Sequence, residues 1–163
     1  SGFTGEPDGI GSVYGGVVSD SFSPEMMVEE LGSRYEITRN YFKEYACCRY
    51  NHSSLDAIFK IMEKQKGGKF DPKSIESINV ETYSLAAQLS NKNPDNMLSA
   101  KFSVPFAIAT TIIHGNSGVA SFLPDKVNQL KIKELAARVD VVEKPEFTQM
   151  MPSWRPAAVT VRL

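Results

Sequence analysis

The sequence has few cysteines, no long hydrophobic run and almost no net charge, and each absence excludes a class of protein. Its two cysteines, Cys47 and Cys48, are neighbours, so they cannot form a disulfide framework. The longest apolar run, residues 104–113, is shorter than the roughly 20 residues that cross a bilayer. The N-terminus lacks the features of a signal peptide, and a net charge of −1 offers no basic surface for nucleic acid. We therefore expect a cytoplasmic protein with no nucleic acid and no membrane among its partners.

What the sequence does contain is enough for one folded domain. Its 163 residues are 42% hydrophobic and 23% charged, a balance typical of a packed core. Residues 1–22 are rich in glycine and show little hydrophobic periodicity, which indicates an irregular connecting segment followed by a domain over residues 23–163. The chain starts without Met and ends in a strand-like run, so we expect a piece of a longer protein.

Helix and strand patterns interleave along the chain. A first helix is expected from the Ser23 cap to Gly32, and a second begins after His52, with Ser53 and Asp56 as a variant capping box and Gly67 and Gly68 at its end. Further helices are expected over residues 98–113, with Ser103 as a cap and Pro105 in the first regular turn, and over 130–138. Strands are expected over residues 35–42, 74–84, 139–142 and 159–163. Because the strand connections are uneven, we predict an α+β sheet with helices mainly on one face rather than a doubly wound fold.

The densest polar cluster, residues 43–56, lies between a strand end and a helix start. Free backbone N–H groups and the helix dipole attract anions at such a place. Lys43 could fix a carboxylate by charge, and His52 could exchange a proton with it near neutral pH. Ser53 and Ser54 are further candidate binding residues. Two plainer interpretations stay open, because Lys43 could be a solvated side chain and His52 could help to cap the helix.

The two cysteines fit packed thiols better than a metal site, because a zinc site needs four ligands and no second Cys/His pair follows Cys47 and Cys48. No nucleotide-binding glycine motif is present either. We therefore expect neither a metal nor an organic cofactor. A thiol-based redox protein is a weaker alternative.

Four segments occur in an order found in one enzyme family. They are Gly2-Phe3-Thr4-Gly5, the set Lys43, Cys48, His52 and Leu55-Asp56-Ala57, the run Ala100-Lys101-Phe102-Ser103-Val104-Pro105-Phe106, and the closing segments 135–142 and 156–163. With these motifs the chain resembles the MmgE/PrpD family, which includes 2-methylcitrate dehydratase, cis-aconitate decarboxylase and iminodisuccinate epimerase. The resemblance extends nearly from end to end.

This resemblance implies a function for the chain. Family members combine a large helical domain, which supplies most of the active site, with a smaller α+β lid domain, and the chain resembles the lid. The implied reaction is proton abstraction from a small di- or tricarboxylic acid with loss of water or carbon dioxide, or epimerisation, without a cofactor. Lys43 and His52 would be the catalytic residues of the lid, and the absent helical domain and a second copy of the chain would be its candidate partners. We expect the isolated chain to be catalytically inactive.

Two details of the resemblance bear on the specific activity and on the role of Ser103. The dehydratase carries an Asp-His-type sequence where this chain has Ala100-Lys101-Phe102-Ser103, which argues against methylcitrate dehydratase as the specific activity. Ser103 is a candidate substrate-binding residue, and a helix cap is its alternative role. The alternative function for the whole chain is a non-catalytic docking module that pairs with another chain.

Overall fold

The computed structural model describes residue 25 and residues 28–163. The chain divides into two compact units, residues 1–42 and residues 43–163. In the first unit, residues 28–33 form turns and Glu36–Arg39 forms a short 3-10 helix. The predicted segment 1–22 and residues 23, 24, 26 and 27 of the predicted helix lie outside the described residues. Residues 28–32 of that predicted helix form turns, so the helix is wrong over this part.

The strand predicted over residues 35–42 is wrong. Its alternating residues instead fold locally, where the Thr38 hydroxyl donates to the Tyr35 carbonyl at 2.7 Å and the Arg34 guanidinium pairs with the Glu36 carboxylate at 2.7 Å. No strand in the described part of the chain pairs with this segment. A β-rich run without a neighbouring strand has no ladder to stabilise it.

The second unit contains a three-stranded sheet in the order β2-β1-β3. Its strands are β1 (Ser77–Thr82), β2 (Val139–Glu143) and β3 (Ala157–Arg162). The central strand β1 pairs in parallel with β2 and antiparallel with β3. The three strands predicted for this part of the sequence are therefore confirmed, and they form a mixed sheet.

Helices occupy most of the sequence between the strands. They are α1 (His52–Glu63), α2 (Ser84–Ala87), α3 (Met97–Lys101), α4 (Val104–His114), α5 (Pro124–Val127), α6 (Leu130–Ala136) and α7 (Pro145–Gln149). The region predicted as helical over residues 98–113 contains two helices, and the predicted start of the regular helix, with Ser103 as its cap and Pro105 in its first turn, is confirmed. Proline lacks an N–H and collides with the preceding turn, so a continuous helix is disfavoured there.

The core lies between one face of the sheet and the helices. Ile78, Val80 and Val139 are fully buried on that face, whereas Asn79 and Asp140 are exposed on the other. Helix α1 contacts β3 and helix α4 contacts β2, and α4 is buried along nearly its whole length. The α+β architecture with helices on one face is therefore confirmed.

The start of α1 differs from the prediction. The helix begins at His52 after Asn51, which makes no side-chain cap hydrogen bond, so Ser53 lies inside the first turn. The Ser53 hydroxyl donates to the carbonyl of Arg155, and the Asp56 carboxylate accepts from the Tyr45 hydroxyl at 2.7 Å. The predicted capping box is therefore wrong, because tertiary partners take both side chains.

Candidate functional site

The polar cluster before α1 is held against the segment that joins α3 to α4. The Lys101 carbonyl accepts from the Cys48 N–H at 2.9 Å and from the Asn51 side-chain amide at 3.1 Å. A further hydrogen bond joins the Ala46 N–H to the Ser117 carbonyl at 3.0 Å. Residues about 50 positions apart in the chain therefore meet here, and backbone groups fix their relative placement.

This contact creates an open pocket, which we call the lysine pocket. Its volume is about 310 Å³, and it is lined by Lys43, Ala46, Cys47, Cys48, Lys101 and Phe102. The lining contains two ammonium groups and no carboxylate. Among residues 28–163, neither Lys43 nor Lys101 belongs to an ion pair. The positive charge of the pocket is therefore not neutralised by the described part of the protein.

His52 is buried and does not line the lysine pocket. Its side chain is 4% exposed, and its ring centroid lies 5.0 Å from that of Tyr45. Burial lowers the pKa of His52 below its usual value of 6.5, and the positive charge of Arg49 lowers it further, against a hydrogen bond with the Cys47 backbone that raises it. The imidazole is therefore neutral at pH 7, and its buried Nε2 has no hydrogen-bond partner among the described residues.

The three predicted serines do not line the lysine pocket. The Ser53 hydroxyl donates to a backbone carbonyl, and Ser54 is fully buried with an unpartnered Oγ among the described residues. The Oγ of Ser103 accepts from the Phe106 N–H at 3.0 Å and donates to the Asn91 carbonyl at 2.5 Å. The predicted cap role of Ser103 is therefore confirmed.

The cysteines differ in their surroundings. Burial raises the pKa of the Cys47 thiol to about 11, although Lys43 and Lys101 both act to lower it. A thiol with so high a pKa is almost entirely protonated at neutral pH and reacts slowly. Cys48 is half-buried, so it is the more accessible thiol of the pocket.

The sequence alone predicts no role for Lys101, although this residue lies within the family motif of residues 100–106. The neighbouring sequence does not indicate a binding residue at this position. A lysine at the end of a short helix is usually a solvated side chain whose charge interacts favourably with the helix dipole. The hydrogen bonds that Cys48 and Asn51 donate to its carbonyl hold it against the segment that follows Lys43. Tertiary pairing of this kind leaves no periodic signal in a single sequence.

A larger cavity of about 440 Å³ lies elsewhere, between the turn at residues 71–73 and helix α6, and contains none of the predicted site residues. Its charged lining residues have both signs, namely Asp71, Lys73, Lys131, Glu134 and Arg138. Of the two cavities, the lysine pocket is therefore the one suited to an anion.

Among the described residues, no helix combines the length and apolar character needed to span a bilayer. In the same part of the chain, no group of three or more His, Cys, Asp or Glu residues could hold a metal ion.

Comparison with protein families matches residues 45–163 to the MmgE/PrpD C-terminal domain. Comparison with curated proteins gives no significant match. The matched region covers most of the chain, starts two residues after Lys43 and includes the other five residues that line the lysine pocket.

Proposed function

The chain belongs to the MmgE/PrpD family, whose C-terminal domain spans its residues 45–163, and from this premise we propose that it is the lid of an enzyme acting on a small di- or tricarboxylic acid. The observation that carries the proposal is the lysine pocket, which is lined by Lys43 and Lys101 and by no acidic residue. A pocket with this charge favours an anionic ligand.

The proposed reaction is abstraction of a proton from the carbon next to a carboxylate. Negative charge then spreads onto that carboxylate, and loss of water or carbon dioxide, or return of the proton to the other face, completes the reaction. A fixed ammonium stabilises this charge where it develops. Lys43 is the proposed clamp, and the base is proposed to come from the helical domain that family members carry, so we expect the isolated chain to have no turnover.

We assign His52 a positioning role in this scheme. Its neutral ring packs on the ring of Tyr45, so it supports the segment that carries the lining of the pocket. A direct proton transfer by His52 would require its buried Nε2 to become accessible.

The test is an NMR amide titration of the chain with citrate, cis-aconitate and iminodisuccinate. We expect saturable shifts clustered at residues 43–48, which Lys43→Met abolishes. The matched control is Lys69→Met, because Lys69 is also an exposed lysine and lies outside the lysine pocket. Flat titrations with well-dispersed spectra would refute carboxylate binding by this chain, and measurable turnover would refute its inactivity.

The second candidate function is a docking module without catalysis. Helix α3 and the residue after it expose three apolar side chains, those of Met97, Leu98 and Phe102. Exposed apolar groups of this kind favour association with another chain. Concentration-dependent self-association without any response to the carboxylic acids would support this candidate over the first.

A further inference from the structure

The lysine pocket contains two cations that reach it from distant parts of the chain. Lys43 precedes the 3-10 turn before α1, and Lys101 ends α3. Both lysines line the same pocket, together with Cys47 and Cys48.

Backbone hydrogen bonds hold these two segments together. The Lys101 carbonyl accepts from the Cys48 N–H and from the buried Asn51 amide. The fold therefore holds Lys101 against the segment that follows Lys43, and no acidic residue lines the pocket. Like charges that stand together without a counter-charge provide a site for a ligand with more than one negative group.

We propose that Lys101 is a second substrate-binding residue which, together with Lys43, makes the lysine pocket selective for acids with at least two carboxylates. This inference rests on the proposed function, because it names a further binding residue of the same site. A monocarboxylate pairs with one lysine at a time, whereas a di- or tricarboxylate pairs with both. Lys43 is exposed and Lys101 is partly buried, so each ion pair is weak. The second contact is therefore expected to favour binding of the polycarboxylate over the monocarboxylate by about two- to fivefold.

The first experiment measures the charge of the pocket without any substrate. The half-buried thiol of Cys48 reacts with two disulfide reagents, the doubly anionic 5,5′-dithiobis(2-nitrobenzoate) and the neutral 4,4′-dithiodipyridine. We expect the ratio of the anionic to the neutral rate to fall about two- to threefold in Lys101→Met and again in Lys43→Met, and to fall in the wild type when salt is raised. The reaction assigned to Cys48 is the one that Cys48→Ser removes.

The matched control is Lys69→Met, for which the rate ratio stays at the wild-type value. The neutral reagent also reports on folding, because a disordered variant exposes its thiols to both reagents. An unchanged ratio in Lys101→Met, with a lowered ratio in Lys43→Met, would overturn the inference.

The second experiment uses the NMR amide titration to compare the affinity of the chain for cis-aconitate with its affinity for the monocarboxylate crotonate. We expect Lys101→Met to reduce the preference for cis-aconitate by about two- to fivefold, while Lys43→Met abolishes the shifts that either acid produces. Binding of cis-aconitate that is independent of Lys101 would overturn the inference and leave the proposed function intact. No binding of either acid, with the rate ratio still dependent on both lysines, would refute carboxylate recognition but not the two-cation pocket.

Discussion

Replacement of Ser103 by alanine is expected to lower the free energy of unfolding by about 2 kcal/mol. The hydroxyl forms two hydrogen bonds, one from the Phe106 N–H at 3.0 Å and one to the Asn91 carbonyl at 2.5 Å. Both Ser103 and Phe106 are fully buried, so water cannot take the place of the lost oxygen at the amide. An ordinary cap is worth about 1 kcal/mol, and an orphaned buried donor adds a similar amount.

The matched control is Asn96→Ala at the start of α3. Asn96 is also an N-cap, with its side chain accepting from the Ser99 N–H at 2.9 Å, but it is exposed. Water can solvate the amide that this change releases, so the expected loss is about 1 kcal/mol.

The assay is urea unfolding followed by far-ultraviolet circular dichroism. With a slope of about 1.5 kcal/mol per molar urea, the midpoint should fall by about 1.3 M for Ser103→Ala and by about 0.7 M for Asn96→Ala. A smaller shift for Ser103→Ala than for Asn96→Ala would refute the argument from burial. If the folded Ser103→Ala protein lost the cis-aconitate shifts while keeping its stability, Ser103 would be a ligand contact instead of a cap.

Two further predictions concern buried polar groups. Because burial holds the pKa of His52 below 6.5, the stability that comes from the neutral ring is fully present above pH 6.5 and is lost as the pH falls through the folded-state pKa. The free energy of unfolding should therefore decline over that interval in urea melts, and less in His52→Gln; equal declines would contradict this. Tyr83→Phe should leave the urea midpoint unchanged or raise it, because the buried Tyr83 hydroxyl has no partner among the described residues. Tyr45→Phe should lower stability by about 1 kcal/mol because it breaks the 2.7 Å hydrogen bond to Asp56, and equal losses in the two tyrosine variants would refute this reasoning.

The parts of the fold that could be predicted from the sequence are those with a periodic burial pattern. Strand β1 alternates Ile78 and Val80 with Asn79, and the structure buries the first two and exposes the third. Helix α1 likewise buries Leu55, Ile58 and Met62 on one side. In such segments one buried face determines the type of element.

The errors arose where local preference and tertiary partners disagree. Residues 35–42 have the composition of a strand, but a strand also needs a neighbour to pair with. Ser53 and Asp56 have the spacing of a capping box, but the Arg155 carbonyl and the Tyr45 hydroxyl bind them instead. Neither partner is adjacent in sequence, so no local rule could identify it.

The polar side chains of the candidate site fall into two groups: the serines are bonded or buried within the protein, whereas the lysines remain available to a ligand. Among the predicted serines, Ser53 and Ser103 already donate their hydroxyl protons to backbone carbonyls, and Ser54 is fully buried. A ligand could use them only if those bonds were broken or that burial undone, which costs free energy. Lys43 and Lys101 line an open pocket and have no ion pair in residues 28–163. Binding of an anion there requires only that the lysines lose part of their hydration, so the lysines are the groups on which recognition by this chain should depend.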